Sequence, residues 1–112
     1  MNKELINKII GNPTKIENLE VVQFDFPDKM NWTDAKAASE ELGNGWRLPS
    51  KDELNILYEN KDEIGNFEGG YYWSLTEVNN SDFAWNQDLV FGTQKDYYNK
   101  NNTFSVRAVK LI

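Results

Sequence analysis

The sequence predicts a single α+β domain that spans residues 1–112. Three helix-forming segments with start or stop signals lie in the first half of the chain, together with a predicted hairpin. After Gly69, Gly, Asn, Tyr, Trp, Ser and Thr dominate, and these residues favour strands and turns. The length suits one hydrophobic core and is too short for two. Apolar residues make up 39% of the chain, which is enough to build that core.

The first predicted elements are a short helix and a hairpin. Apolar residues recur at helical spacing within residues 1–11, and Gly11 is typical of a left-handed C-terminal cap. Two strand-like pieces then flank the polar pair Glu17-Asn18, a spacing that predicts a two-residue hairpin turn. The second strand is expected to continue towards Phe26 and to end at the following proline.

Two further helices carry explicit capping signals. Asn31 can cap a helix that ends at Gly43, and Ser50 with Glu53 forms the Ser-x-x-Glu capping box of the next helix. The predicted buried stripe of this later helix consists of Leu54, Leu57 and Tyr58.

The second half of the chain predicts three strands, at residues 71–76, 84–91 and 105–112. In the middle strand, alternation places one set of side chains inward, namely Trp85, Gln87 and Leu89. The other set is predicted to face outward and consists of Asn86, Asp88 and Val90. The apolar content of the last strand predicts burial on both of its faces.

Composition excludes several kinds of chemistry. The chain has no Cys, which excludes disulfides and thiol nucleophiles, and no His, the commonest metal ligand and the usual general base near neutral pH. A formal net charge of −6 argues against a nucleic-acid partner, because phosphate binding requires a clustered Lys/Arg face. We find no targeting sequence and no apolar run of membrane length, so we expect a cytoplasmic protein without cofactor or membrane partner.

Five separated motifs occur along the chain. They are Asn31-Trp32-x-x-Ala35, Trp46-Arg47-Leu48-Pro49-Ser50-x-x-Glu53-Leu54, Tyr72-Trp73-Ser74-x-Thr76-Glu77, Ala84-Trp85 and Val106-Arg107-Ala108-Val109. Together they resemble the bacterial domain at the C-terminus of collagen-like adhesion proteins, and the resemblance covers residues 19–112. It implies a C-type-lectin-like fold in which two helices pack on a looped antiparallel sheet. It also implies that the N- and C-terminal strands pair and that a long irregular region carries binding.

Departures from other lectin-like proteins narrow the implied function. Calcium-dependent sugar-binding members use a Glu-Pro-Asn or Gln-Pro-Asp loop and a Trp-Asn-Asp strand. Here Trp85-Asn86-Gln87-Asp88 only approximates the strand motif, and no proline lies in the loop motif. The formylglycine-generating oxidases of similar fold depend on cysteines, which this chain lacks. The resemblance therefore implies neither activity, and the core must supply the stability that disulfides supply in secreted relatives.

Most large or charged residues in these motifs have a structural interpretation. The four tryptophans are predicted core anchors, namely Trp32, Trp46, Trp73 and Trp85. Arg107 lies in an apolar strand, so we expect it to form a buried ion pair with an acidic partner such as Glu77 or Glu53.

Residues 79–105 are the candidate region for ligand recognition. Asn, Asp, Tyr, Ser, Thr and Gly dominate there, as in antibody paratopes, where Tyr gives contact area at low entropic cost. We predict a non-catalytic binding module with Tyr97 and Tyr98 as anchors, without a metal. The predicted ligand-binding residues are Asn86, Asp88, Val90, Phe91, Thr93, Asp96, Tyr97, Tyr98, Asn99, Asn101 and Asn102. The expected partner is a protein or another surface ligand.

The resemblance also suggests a variable protein of a diversity-generating retroelement. Such proteins share the lectin-like fold and vary outward positions through changes at adenine-rich codons, mostly those of Asn. The pattern Ala84-Trp85-x-Gln87-x-Leu89-x-x-Gly92-x-Gln94 resembles a fixed framework that alternates with such positions. The candidate variable positions are the predicted ligand-binding residues other than Phe91, and each is reachable from an Asn codon.

Other interpretations stay open at the level of sequence. One is an enzyme that uses carboxylates such as Glu77 with Asp88 for acid and base work. Another is a structural or homo-oligomerising domain that buries the same face in a symmetric interface. The Asn-rich loops could be ordinary solvated turns. Three aspartates could supply oxygens to a calcium site, although their spacing does not match an EF-hand, namely Asp82, Asp88 and Asp96.

Overall fold

The computed structural model describes residues 1–112 and consists of four helices and two three-stranded antiparallel sheets, which confirms the α+β class. The helices are α1 (Lys3–Ile10), α2 (Trp32–Glu41), α3 (Lys51–Glu59) and α4 (Lys61–Ile64). The strands are β1 (Thr14–Ile16), β2 (Leu19–Val21), β3 (Tyr71–Glu77), β4 (Ala84–Asp88), β5 (Gln94–Lys95) and β6 (Val109–Leu111).

Side-chain caps set the start of the three longer helices. Asn2 and Asn31 each accept a hydrogen bond from the backbone N–H three residues on, and Ser50 with Glu53 forms the complete capping box. These contacts confirm the three predicted helices. The sequence does not predict α4, which is a single turn that follows Asn60 without a side-chain cap.

The first sheet has the order β1-β2-β6 and joins the two ends of the chain. The Glu17-Asn18 turn connects β1 to β2, and Val21 lies opposite Val109 of β6. The implied pairing of N- and C-terminal strands is therefore confirmed. Glu17 adopts a φ of 54°, a left-handed conformation that is uncommon for a residue with a Cβ atom.

Two strand predictions for this sheet are wrong in their extent. β2 ends at Val21, and the chain from there to Phe26 is irregular although it still donates backbone hydrogen bonds to the C-terminal segment. β6 begins only at Val109, where the strand exchanges backbone hydrogen bonds with Arg47. Residues 105–109 are buried as expected, but Leu111 is 58% exposed and Ile112 is 65% exposed.

The second sheet has the order β3-β4-β5, and its strand β4 contains the candidate binding residues Asn86 and Asp88. Tyr71 lies opposite Asp88, and the strands pair again at Glu77 and Ala84 after a β-bulge. β4 ends at Asp88 and not at Phe91, because residues 89–92 turn the chain back into β5.

The core contains three of the four tryptophans predicted to lie there. Trp32, Trp46 and Trp73 are buried, whereas Trp85 is half-buried and its outer face is covered by the Lys51 ammonium, 3.9 Å from the ring centroid. Of the expected α3 stripe, Leu54 and Leu57 are buried and Tyr58 is half-buried. None of the helices has the length and apolar content needed to cross a bilayer.

Candidate functional site

Several exposed candidate residues, Val90, Phe91, Thr93, Asp96 and Tyr97, lie in or just after the β4–β5 hairpin at one end of the second sheet. Residues directly opposite each other in an antiparallel pair project from the same face. The strand register therefore places Tyr71 beside Asp88, and it places Trp73, Asn86 and Lys95 in one row across the three strands. A predicted residue on this face can contact a ligand only if no other segment of the chain packs over its side chain.

The turn after β4 is held by polar contacts on both of its sides. One Asp88 carboxylate oxygen accepts hydrogen bonds from the backbone N–H groups of Val90, at 2.7 Å, and Phe91, at 3.3 Å. From α4, the Lys61 ammonium donates to two backbone carbonyls of the same turn, at 3.0 and 3.1 Å. Gly92 completes the turn with a φ of +85°, which residues with a Cβ atom rarely adopt.

This ordered turn holds two apolar side chains in solvent. Phe91 is 80% exposed and Val90 is 48% exposed. A side chain on an already ordered turn loses little conformational entropy when a partner covers it, so Phe91 is well suited to act as an anchor. Val90 also borders an open groove of about 370 Å³, whose opposite wall is formed by residues 61–69, including Phe67.

A tyrosine cluster around Lys95 adjoins the turn. The Lys95 ammonium donates to the Tyr71 hydroxyl at 2.6 Å and lies 4.7, 5.8 and 5.5 Å from the ring centroids of Tyr71, Tyr97 and Tyr98. The hydrogen bond raises the pKa of Lys95 and lowers the pKa of Tyr71, so the ammonium stays charged. Tyr97 is 61% exposed, whereas Tyr98 is half-buried against Phe104, with ring centroids 5.4 Å apart. Tyr97 is thus the freer of the two expected anchors.

Asn86 does not face outward, contrary to the expectation from strand alternation. It is 1% exposed, and neither polar atom of its side chain has a hydrogen-bond partner. Asn86 does share a face with Trp73, but residues 97–104 fold across that face, and the Phe104 ring centroid lies 4.6 Å from that of Trp73. Both faces of β4 are therefore covered, since Gln87 on the other face is also fully buried.

The other face of the hairpin is tied to α3 by side-chain amides. Gln87 Nε2 donates to Asn55 Oδ1 at 2.9 Å and to the backbone carbonyl of Gly92 at 3.1 Å. Gln94 Nε2 donates to the backbone carbonyl of Lys51 at 2.9 Å. These contacts fix the position of the hairpin relative to the helix.

The Asn-rich end of the candidate segment lies at the opposite end of β4. Asn99 pairs with Phe83, the residue just before the strand. The Asn99 side chain accepts from the backbone N–H of Asn101 at 2.8 Å, and Asn102 Nδ2 donates to the Asn99 carbonyl at 2.9 Å. Asn101 and Asn102 are exposed, but the length of β4 separates them from the hairpin turn.

The structure does not bring together the carboxylates considered for catalysis or for calcium. Glu77 and Asp88 lie at opposite ends of the β3–β4 pair, about 20 Å apart at 3.3 Å per residue. Glu77 pairs with Lys100 at 2.5 Å, and Asp88 is engaged by the turn amides. No group of three acidic side chains in residues 1–112 is arranged to hold a metal ion.

Arg107 forms the expected buried ion pair, but Glu77 and Glu53 are not its partners. It is 1% exposed, and its Nε donates to Asp25 Oδ1 at 2.8 Å. The Tyr72 hydroxyl donates to the other Asp25 oxygen at 2.5 Å, and burial raises the pKa of Tyr72 so that this donor stays protonated. Sequence proximity could not reveal the pair, because 82 residues separate the two partners.

The Arg107–Asp25 pair also holds the loop of residues 65–68, which belongs to the groove wall opposite Val90. Arg107 donates from both terminal guanidinium nitrogens to the Gly65 carbonyl, each at 3.2 Å, and lies 4.1 Å from the ring centroid of Phe67. The backbone N–H of Glu68 donates to Asp25 at 3.1 Å. The loop is therefore ordered by the core, although most of it lies at the surface.

Sequence reasoning missed Lys61, Lys95 and Tyr71 as parts of this site. Their contacts link elements that lie far apart along the chain, such as Lys61 with Leu89, 28 residues later. No local motif signals such contacts.

Comparison with known proteins identifies a family by sequence and a shared fold by structure. A model of the Lcl C-terminal domain family matches residues 12–110. Among solved structures, botrocetin matches 90% of this chain and 96% of its own, with 15% identity and a TM-score of 0.66. EMS16, an antagonist of the collagen receptor integrin α2β1, matches over 91% and 98%, with 11% identity and a TM-score of 0.67. A search of curated protein sequences finds no match.

A chain from the complex of a mutant von Willebrand factor A1 domain with botrocetin is also similar. It matches over 91% of this chain and 98% of its own, with 11% identity and a TM-score of 0.60. These structures confirm the C-type-lectin-like fold that the five motifs imply. The family match covers the β1–β2 hairpin, both longer helices after it and the second sheet, and the chain therefore belongs to the Lcl C-terminal domain family.

Proposed function

We propose that this domain is a non-catalytic module that binds a protein ligand. We define its recognition surface as Val90, Phe91, Thr93, Asp96 and Tyr97, supported from behind by the half-buried residues Asp88 and Tyr98. The observation that carries the proposal is Phe91, which is 80% exposed on a turn that Asp88 and Lys61 hold in place.

Burial of the exposed Phe91 side chain against a partner would contribute favourably to the free energy of binding. Fully burying a Phe side chain contributes about 1.5–3 kcal/mol, and residues of this kind dominate protein interfaces when a ring of polar contacts excludes water around them. Thr93 and Asp96 are exposed beside the aromatic side chains and supply such polar contacts.

The similar structures support a protein as the ligand. Botrocetin forms a complex with the von Willebrand factor A1 domain, and EMS16 is an antagonist of an integrin. At 11–15% identity they share the fold with this chain, so the assignment of a protein ligand here is our proposal.

A selection experiment tests the proposal. A phage-displayed library of random twelve-residue peptides is panned on the whole domain and, in parallel, on the Phe91→Ala variant. We expect peptides that are enriched on the wild type and lost on the variant. Peptides that bind both proteins equally, or the absence of enrichment, would contradict the proposed surface.

We also propose that the exposed positions of this surface vary between gene copies through a retroelement. Supporting this, hydrogen bonds to Asp88 and the backbone conformation of Gly92 fix the turn, whereas Val90 and Thr93 in the hairpin and Tyr97 after it are exposed. Sequencing the flanking genome tests the idea, because it requires a reverse transcriptase gene and a near-copy of this segment. The lack of both would refute it.

A further inference from the structure

We infer that the recognition surface selects a protein segment that carries Lys or Arg next to an apolar side chain. This inference rests on the proposed function and adds the chemistry of the partner. It depends on how charge is distributed around Phe91 and on which of those charges are already engaged within the domain.

Carboxylates outnumber cations around the recognition surface. Residues 61–70 and 88–98, which form the groove and the hairpin, contain five carboxylates and two lysines. The carboxylates belong to Asp62, Glu63, Glu68, Asp88 and Asp96, and the lysines are Lys61 and Lys95. The local balance is acidic, as is the whole chain with its net charge of −6.

Both lysines already have partners within the domain. Lys61 donates to two carbonyls of the turn at 3.0 and 3.1 Å, and its ammonium lies 4.8 Å from the ring centroid of Tyr58. Lys95 donates to the Tyr71 hydroxyl at 2.6 Å and lies among three tyrosine rings. Both ammonium groups are thus held against the domain by neutral oxygens, and they offset two of the five negative charges.

None of the five carboxylates forms an ion pair, although Asp88 accepts two backbone hydrogen bonds. The five ion pairs of the molecule involve Glu41, Glu40, Glu53, Glu77 and Asp25, and none involves a carboxylate of the recognition surface or its groove.

Three exposed carboxylates flank the apolar anchors. Asp62 lines the groove beside Val90, Glu68 precedes the glycine that approaches Val90, and Asp96 precedes Tyr97. Phe91 therefore lies on a surface whose exposed charged side chains are mostly acidic. Complementary charge steers association and excludes partners of the same sign, so a basic segment with an apolar side chain fits this surface.

The test uses the peptides enriched on the whole domain. We expect a clear excess of Lys and Arg over the starting library among the peptides that depend on Phe91. A synthetic copy of the most enriched peptide is then titrated against a triple variant that neutralises the three exposed carboxylates, Asp62→Asn, Glu68→Gln and Asp96→Asn. We expect about tenfold weaker binding and a smaller dependence of affinity on salt concentration.

A matched triple variant removes the same charge elsewhere, namely Glu17→Gln, Asp28→Asn and Asp82→Asn, all at exposed positions. Its affinity should change less than twofold at about 0.15 M salt, where the Debye length is about 8 Å. Equal losses in both triple variants would overturn the inference, because the effect would then come from net charge alone. Phe91-dependent peptides without an excess of Lys and Arg would overturn the inference and leave the proposed function intact. The absence of Phe91-dependent peptides would overturn both.

Discussion

Gly92 lies directly against the ring of Tyr58, so that a Cβ atom at position 92 would be 2.5 Å from the Cε2 and Cζ atoms of that ring. The contact joins the hairpin turn to α3, and Lys61 lies 4.8 Å from the centroid of the same ring. The turn that exposes Phe91 is thus fixed by side chains of α3 and α4, which lie about thirty residues earlier in the chain. A flexible loop would present the same residues at a larger entropic cost.

Replacing Gly92 by Ala should destabilise the domain by about 2–4 kcal/mol. About 1–2 kcal/mol comes from forcing a residue with a Cβ atom to a φ of +85°, and the rest from displacing the Tyr58 ring. Gly45→Ala is a matched control, because Gly45 has a φ of +87° but a Cβ atom there would meet no other part of the chain within 4 Å. Urea unfolding measures both variants, and equal losses of stability would show that the Tyr58 contact is unimportant.

Arg107→Met should cost about 3–5 kcal/mol, because it leaves the Asp25 carboxylate in the core without its cationic partner. Glu77, one of the partners expected from sequence, lies at the surface, so Glu77→Gln should cost less than about 1 kcal/mol. Chemical denaturation of the two variants checks this order. A larger loss in Glu77→Gln than in Arg107→Met would contradict the assignment of Asp25.

Features governed by nearby residues are the ones that the sequence predicts well. The caps at Asn31 and Ser50 depend on a backbone N–H three residues away, and the hairpin depends on two residues at its turn. Asn86 and Arg107 show the limit of such reasoning. The side chain of Asn86 is buried by a segment that begins eleven residues later, and the partner of Arg107 lies in an irregular segment that resembles a strand in sequence.

The Arg47–Glu53 pair should make stability depend on pH. Hydrogen bonds from Arg47 at 2.7 and 3.0 Å lower the pKa of Glu53 below its ordinary value of 4.5. The folded state therefore binds this proton less tightly than the unfolded state does. The resulting stability is fully present above the unfolded pKa and is lost as pH falls through the lower folded pKa.

Glu53→Gln isolates this charge effect, because Gln can also accept the hydrogen bond from Ser50 that completes the capping box. Urea unfolding of wild type and variant is measured from pH 7 down to about pH 3. We expect the wild type to be more stable by a constant amount at the upper end of this range and the difference to shrink below about pH 4.5. A difference that grows as pH falls would contradict the sign of the pKa shift.

Ile9→Ala should destabilise the domain by about 2–5 kcal/mol, since Ile9 is 2% exposed and its removal leaves a cavity between α1 and the core. α1 lies before the region matched by the family model, and this variant tests whether the helix is part of the folded unit. The neighbouring exposed residue offers a control, because Lys8→Ala should change stability by less than about 0.5 kcal/mol. Similar small effects in both variants would mean that α1 contributes little.

The sequence predicts which residues belong to the candidate site better than it predicts how those residues are arranged in space. Val90, Phe91 and Tyr97 stand out in the sequence as apolar residues in a polar segment, and the structure exposes them. The grouping of these residues depends on Lys61 and Lys95, whose roles arise only when distant elements pack together. Tyr98 illustrates the same point, since its burial comes from contact with Phe104 and Tyr71.

The central claim is that Phe91 anchors a ligand without supporting the fold. Isothermal titration of a wild-type-selected peptide into Phe91→Ala tests it, with thermal unfolding recorded on the same samples. Ile112→Ala is the control, because that side chain is also apolar and 65% exposed but lies at the C-terminus. We predict at least about tenfold weaker binding for Phe91→Ala, unchanged binding for Ile112→Ala and nearly equal melting temperatures for all three proteins. Wild-type affinity in Phe91→Ala, or a large drop in its melting temperature, would contradict the claim.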